Sequence, residues 1–148
     1  MSQRQRATRD ELMLFLLPTA YCILPTASQG RALLLHGGPG VTHEYLEAFD
    51  SYLPGAGIEY YYYDQLGSYY SDQPNEPELW ELPRFVEEVE QVRQALGLDR
   101  SNFYLYGQSW GGLLAMEYAL KYGQNLKGLV ISNMMSSIPS TTPTRTTC

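Results

Sequence analysis

The sequence predicts an α/β chain, a mostly parallel sheet flanked by helices, and three observations carry that expectation. Four apolar or tyrosine-rich runs of strand length stand at residues 32–36, 59–64, 102–106 and 126–132. Helical spacing of apolar residues separates the later runs, at residues 83–96 and 110–122. The order β-α-β-α-β-α-β is that of a three-layer fold whose parallel strands are joined by helical crossovers.

Taken in order, residues 1–30 form an atypical N-terminal segment that reads unlike a β-hairpin. Within it, residues 12–24 are apolar and follow Arg4, Arg6 and Arg9, which resembles the h-region of a signal peptide but is too short to span a bilayer. Asp10, Glu11 and Pro18 oppose the signal reading. The expectation is a cytoplasmic protein without stable membrane insertion, with export the alternative if 12–24 is a signal h-region. Residues 31–135 form the core. Its first strand, 32–36, stops at the turn-forming Gly37-Gly38-Pro39-Gly40. Thr42 is placed to cap a helix running to about residue 52, before Pro54 and Gly55 interrupt. A second strand, 59–64, leads into a loop over 65–81. Pro83 at a helix start, Gly97 just past its end, and Phe85, Val86, Val89, Val92 and Leu96 at spacings of three and four define the clearest helix. The strand 102–106, the helix 110–122 stopped by Gly123, and the strand 126–132 complete the core. Residues 136–148 carry Ser, Thr and Pro with no apolar period, and are expected to be a disordered tail.

A length of 148 residues with 44% apolar content suits one domain with a real core. Ten Lys and Arg against sixteen Asp and Glu give a net charge of -6, and no basic cluster marks the central region, so nucleic acid is not an expected partner. Cys22 and Cys148 lie near opposite ends at no metal-like spacing and are read as free thiols. No metal or organic cofactor is implied.

Gly107-Gln108-Ser109-Trp110-Gly111 fits G-x-S-x-G between a predicted strand and a predicted helix. In an α/β-hydrolase the chain turns sharply there and exposes the serine hydroxyl at the sheet's C-terminal edge, which makes Ser109 the candidate nucleophile. The alternative is a glycine-rich strand-to-helix turn with a surface serine. His36-Gly37-Gly38-Pro39-Gly40 follows the first strand, where α/β-hydrolases place the second donor of an oxyanion hole. The paired donors would be the N–H groups of Trp110 and of Gly38, preferred over Gly37, and such a donor is worth about 3 kcal/mol in the transition state. A phosphate-binding loop is the weaker reading, since neither G-x-G-x-x-G nor G-K-[ST] spacing is present.

Three ordered blocks, HGGPGVTHEY, YYYDQLGSYYSDQP and GQSWGG, resemble those of the prolyl aminopeptidases (proline iminopeptidases), especially the tricorn-interacting type, over residues 32–139. The resemblance implies a serine peptidase of the α/β-hydrolase fold that releases an N-terminal residue, preferentially proline, from a peptide. It implies Ser109 as nucleophile, framed by Gly107, Gln108 and Gly111, with His36, Gly37, Gly38, Pro39 and Gly40 as the oxyanion loop. Asp64, Gln65 and Gly67 would begin a structural loop bordering the site. Many relatives have glycine where Tyr69 stands, so the loop's path past the pocket stays open. For Asp64, capping backbone N–H groups at a strand end is preferred to a catalytic role.

In this fold the triad follows the order Ser, then Asp or Glu, then His. Downstream of Ser109 there is no histidine, and the only carboxylate is Glu117, read as a solvated helix residue. Asn133 stands where some hydrolases carry their acid. Of the two upstream histidines, His36 is read as structural and His43 as a helix N-terminal or pocket-rim residue. The family's cap domain and C-terminal strands have no counterpart, so the expectation is a partial α/β-hydrolase fold from a fragment, a frameshifted frame or an incomplete gene. Its last strand would offer an unpaired edge for self-association. Three functions follow: a prolyl aminopeptidase by descent with impaired turnover, another hydrolase of the fold such as an esterase, or a non-catalytic remnant that binds through its sheet edge.

Overall fold

Alternating side chains along parallel strands build two cores on one sheet. The computed structural model describes residues 5–6, 20–23 and 30–134. In chain order the regular elements are β1 Gln5–Arg6, β2 Ala20–Ile23, β3 Gly30–Leu35, β4 Ile58–Tyr63, α1 Leu82–Ala95, β5 Phe103–Gln108, α2 Trp110–Tyr122 and β6 Gly128–Ser132. The sheet order is β1-β2-β4-β3-β5-β6. Strands β4, β3, β5 and β6 run parallel, with Leu33 beside Tyr61 and Leu105, Leu35 beside Gly107, and Gln108 beside Ser132.

The N-terminal expectation is corrected. Strand β1 pairs antiparallel with β2, Gln5 opposite Cys22, and β2 pairs antiparallel with β4 from Ala20–Tyr63 to Ile23–Tyr60. The run Ala-Tyr-Cys-Ile has too little alternation to declare itself a strand. Its partner lies some forty residues along the chain, and a pairing of that range leaves no local pattern. A second correction concerns residues 43–51, which form a 3-10 helix, His43–Ser51, in place of an α-helix. Thr42 stands at its N-cap position, but its hydroxyl donates to Glu44 Oε2 at 2.8 Å and caps no backbone amide. The predicted loop 65–81 contains a 3-10 turn, Pro77–Trp80. The tail 136–148 lies outside the described residues.

On one face Leu33, Leu35, Tyr61, Tyr63, Phe103 and Leu105 pack against α1 and α2 through Phe85, Val86, Val89, Val92, Leu114 and Tyr118. On the other, Ala32, Leu34, Tyr60 and Tyr62 pack against Leu46 of the 3-10 helix, with Phe49 and Leu53 alongside. A strand alternates its side chains between faces, so β3, β4 and β5 each feed both cores. Strand β6 is different. Leu129, Val130 and Ile131 are 37%, 51% and 38% exposed, although the run has the composition of a strand covered on both faces.

Two buried carboxylates on α1 are partnered. Glu90 accepts from Arg93 twice at 2.8 Å, from Tyr118 at 2.7 Å and from Gln94 at 2.8 Å. Burial raises its pKa, but these donors outweigh that effect and hold it at about 2. Glu88 accepts the Leu66 N–H at 3.1 Å and pairs with Arg84 at 2.5 Å. Burial is the larger influence on Glu88, and its pKa is raised.

Candidate active site

The turn from β5 into α2 puts Ser109 at φ 55 and ψ -118, outside the regions an L-residue ordinarily occupies. Such a conformation costs about 1–3 kcal/mol and persists only where its surroundings enforce it. The flanking glycines do so. A Cβ on Gly107 would stand 2.1 Å from Gly111 O, and one on Gly111 would stand 2.3 Å from Leu35 O and 2.6 Å from His36 O. Backbone packs on backbone there, so α2 leaves the strand at once. The Ser109 N–H donates to Ser132 O on β6 at 3.1 Å, and its carbonyl accepts from Gly112 and Leu113 at 2.9 and 3.2 Å. Trp110 opens α2, where helix geometry provides no i−4 carbonyl for its N–H.

The His36 to Gly40 loop, at the end of β3, lies against this turn. A Cβ on Gly37 would be 3.1 Å from Ser109 Cβ and 3.0 Å from Gln108 Oε1. The Gly37 N–H donates to the Tyr45 hydroxyl at 2.6 Å, and Tyr45 in turn donates to Gln108 Oε1 at 2.8 Å. Gly38 has φ +32. Val41 N–H closes a turn on Gly38 O at 3.0 Å around Pro39 and Gly40, with Gly40 at φ +103. Proline followed by a positive-φ glycine is the pattern of a type II turn.

The loop after β4 locks these two segments together. His36 is fully buried, with Nδ1 3.0 Å from Gly37 O. Its Nε2 accepts the Gln65 N–H at 3.0 Å, so the proton of the neutral ring sits on Nδ1, which donates to Gly37 O. Ser68 Oγ lies 3.2 Å from the same Nε2. Burial lowers the His36 pKa, which favours this neutral form. The Gln65 side chain spans the gap: Nε2 donates to His36 O at 3.1 Å, and Oε1 accepts Trp110 Nε1–H at 2.9 Å. The Trp110 ring meets Phe85 edge-on at 5.7 Å. Gly67, at φ +84, lies under Trp80, where a Cβ would stand 2.4 Å from Cζ3. Tyr69, in the same loop, is 75% exposed.

Asp64 is buried at the end of β4 and holds His43 at two points. Oδ1 accepts the His43 N–H at 2.9 Å, and Oδ2 lies 2.8 Å from His43 Nδ1. The imidazole stacks on Tyr62 at 4.6 Å, with Nε2 3.8 Å from Glu47. Both histidines thus have nitrogens committed to the loops around the site. Asn133, just past β6, has φ 48, and Met134 beyond it packs on Gly112.

Two contributors to this geometry, Tyr45 and Ser68, lie inside the blocks HGGPGVTHEY and YYYDQLGSYYSDQP, but the residues alone assign neither a role. Tyr45 sits in a stretch whose pattern reads only as a helix, and Ser68 in one that reads only as loop. For Gln65 a weak signal exists, a polar amide directly after an apolar strand, where buried polar groups need partners. Among the described residues no cluster of three or more His, Cys, Asp or Glu side chains could hold a metal ion. Among them also, no helix is long and apolar enough to cross a membrane.

Comparison with known proteins agrees with the geometry. The chain is 63% identical over 109 residues to proline iminopeptidases of Elizabethkingia meningoseptica and Flavobacterium johnsoniae, covering 74% of this chain and 37% of each relative. The crystal structure of the Mycobacterium smegmatis proline iminopeptidase superposes with a TM-score of 0.72 at 31% identity, over 82% of this chain and 44% of that one. The chain therefore spans little more than a third of the length of these curated relatives. The model of the alpha/beta hydrolase fold family matches residues 33–146, most of the sequence. With a strained serine between parallel strand and helix and a glycine loop packed against it, the chain belongs to the alpha/beta hydrolase fold family.

Proposed function

We propose that this chain carries the nucleophile and oxyanion-binding half of a serine aminopeptidase site that acts on peptides with an N-terminal proline. The observation that carries the proposal is the backbone of Ser109, held at φ 55 and ψ -118 beside Gly37, where any Cβ would come within 3.1 Å of the serine's own. Strain of that kind is retained where an exposed hydroxyl is needed at a sheet's edge. In the reaction, Ser109 Oγ gives its proton to solvent as it bonds to the carbonyl carbon of the N-terminal residue, and the carbonyl oxygen becomes an oxyanion. The N–H groups of Gly38 and Trp110 stabilise it. The peptide bond then breaks, its nitrogen leaves with a proton as the new N-terminus, and water releases the acyl group from Ser109. Names and identities of the relatives support proline as the released residue.

A serine hydroxyl needs a base, but His36 Nε2 accepts the Gln65 N–H, and His43 turns its two ring nitrogens to Asp64 and Glu47. Turnover by this chain alone is accordingly slow, resting on the residual effect of the elbow and oxyanion donors. The test is release of p-nitroaniline from proline-p-nitroanilide by the chain and by Ser109→Ala. Weak release abolished by the substitution is expected, whereas equal release from both would overturn the assignment of Ser109. Faster cleavage of a p-nitrophenyl acyl ester than of the aminoacyl amide would favour an esterase.

A second, non-catalytic reading rests on the exposure of Leu129, Val130 and Ile131. Edge strands with exposed apolar side chains pair with further strands, so the chain self-associates through β6. Sedimentation velocity is expected to show mass rising with concentration, and Val130→Lys to suppress the rise. A concentration-independent monomer would refute it.

A further inference from the structure

We infer that Tyr45 is a positioning residue for the oxyanion loop: its hydroxyl takes up the Gly37 N–H and hydrogen-bonds Gln108, which leaves Gly38 as the loop amide presented to Ser109. This inference rests on the reading of Gly38 as an oxyanion donor. Gly37 and Gly38 are adjacent amides at the end of β3, and either could in principle serve. Gly37 is buried, stands where a Cβ would come within 3.1 Å of the nucleophile's own Cβ, and has its N–H bonded to Tyr45 at 2.6 Å. Its neighbour Gly38 is less buried, and its φ of +32 turns the chain away from the strand direction.

The same phenol oxygen donates to Gln108 Oε1 at 2.8 Å, and Gln108 directly precedes Ser109. One hydroxyl group therefore accepts from one segment and donates to the other. A hydroxyl has one proton and two lone pairs, so it can satisfy both partners at once, and a methyl or phenyl group can satisfy neither. Tyr45 is itself fixed from below. Its 3-10 helix begins at His43, which Asp64 holds by backbone and ring, and Leu46, the next residue, is buried in the second core. The phenol, though 43% exposed, is thus braced from β4 and the 3-10 helix at the junction of loop and elbow. Rigid support of this kind is what keeps oxyanion donors in place before charge develops.

The test compares the ¹⁵N-labelled chain with Tyr45→Phe, which keeps the ring and removes the hydroxyl. In the wild-type chain the Gly37 amide is expected to exchange with solvent at least about 10-fold more slowly than Gly38. In Tyr45→Phe the Gly37 protection is lost and the Gly38 N–H residual dipolar coupling moves, while couplings in β3 and β5 stay in place. An unprotected Gly37 in wild type, which needs no variant to fold, overturns the inference, as does an unmoved Gly38 coupling in the variant. Binding of prolyl boronic acid adds a functional readout. Ser109 Oγ bonds to boron as its proton leaves to solvent, and a boronate oxygen then occupies the oxyanion position. Tyr45→Phe is expected to weaken this binding about 10-fold, part of the effect of losing one oxyanion donor outright. Boronate bound equally by wild type and Tyr45→Phe would also overturn it. Boronate that ignores Ser109→Ala, or does not bind at all, would sink the hydrolase reading instead, and the Gly37 and Gly38 measurements would still decide the role of Tyr45.

Discussion

Replacing Gln65 by leucine isolates the bridge between the two halves of the site. The substitution keeps the bulk of the side chain but removes the acceptor of Trp110 Nε1–H and the donor to His36 O. Each hydrogen bond contributes about 1 kcal/mol net, but a buried group left without a partner costs about 1–3 kcal/mol. The His36 carbonyl belongs to a fully buried residue and stands at the upper end. The indole of Trp110, half-buried, regains some water and stands at the lower end. The expected loss is therefore about 2–5 kcal/mol. For a chain of this size that lowers Tm by roughly 5–20 °C. Urea unfolding followed by far-ultraviolet circular dichroism gives the number. The second arm is Trp110→Phe, which keeps an aromatic ring against Phe85 and removes the indole N–H. In that background Gln65→Leu should cost about 1 kcal/mol less, because no N–H is left to orphan. A Gln65→Leu chain within about 0.5 kcal/mol of wild type, or a cycle with no coupling, would refute the bridge as the tie between loop and elbow.

Two further outcomes follow from the same coordinates. Ser109→Gly relieves a conformation worth about 1–3 kcal/mol and adds the entropy cost of glycine, about 0.5–1 kcal/mol, for a net gain near 1 kcal/mol in unfolding free energy; Ser109→Ala keeps the Cβ and gains none of it. A glycine variant no more stable than the alanine variant would show that the turn is unstrained. Acidification should destabilise the chain in two windows. The lowered pKa of His36 means the unfolded chain takes up a proton first, so stability present above about 6.5 is lost as pH falls toward the folded value. Glu90, held at about 2 against an ordinary 4.5, stabilises above 4.5 and loses that contribution as pH falls from 4.5 to about 2. Glu88 opposes it, since a raised pKa makes the folded chain bind its proton first, and its effect weakens stability as pH rises past 4.5. Urea midpoints at pH about 7.5, 5.5 and 3.5 should show both losses, with Glu90→Gln flattening only the lower one; a midpoint in Glu90→Gln that falls as steeply as wild type between the two lower values would remove Glu90 from the account.

Much of the molecule was set by local chemistry. Helix α1 could be read because Pro83, the apolar spacing of Phe85 to Val92 and the positive-φ Gly97 are all short-range signals, and it spans Leu82–Ala95. Strands β3, β4 and β5 could be read for the same reason, since a strand fed to two cores must be apolar or aromatic on both sides, and β6 by its run of Leu, Val and Ile. So could the elbow, because Gly107 and Gly111 meet other backbone too closely for any side chain, and that steric demand is written as residue type. Other features belonged to tertiary structure alone. The pairing of β2 with β4, the engagement of His36 and His43, the Gln65 bridge and the Tyr45 strut all join residues 8 to 63 positions apart. A hydrogen bond between distant polar groups imposes no period and no composition on the sequence around it. Glutamine after a strand and tyrosine in a short helix satisfy many folds equally, and only the packing of β3, β4 and β5 side by side selects the partners they take here.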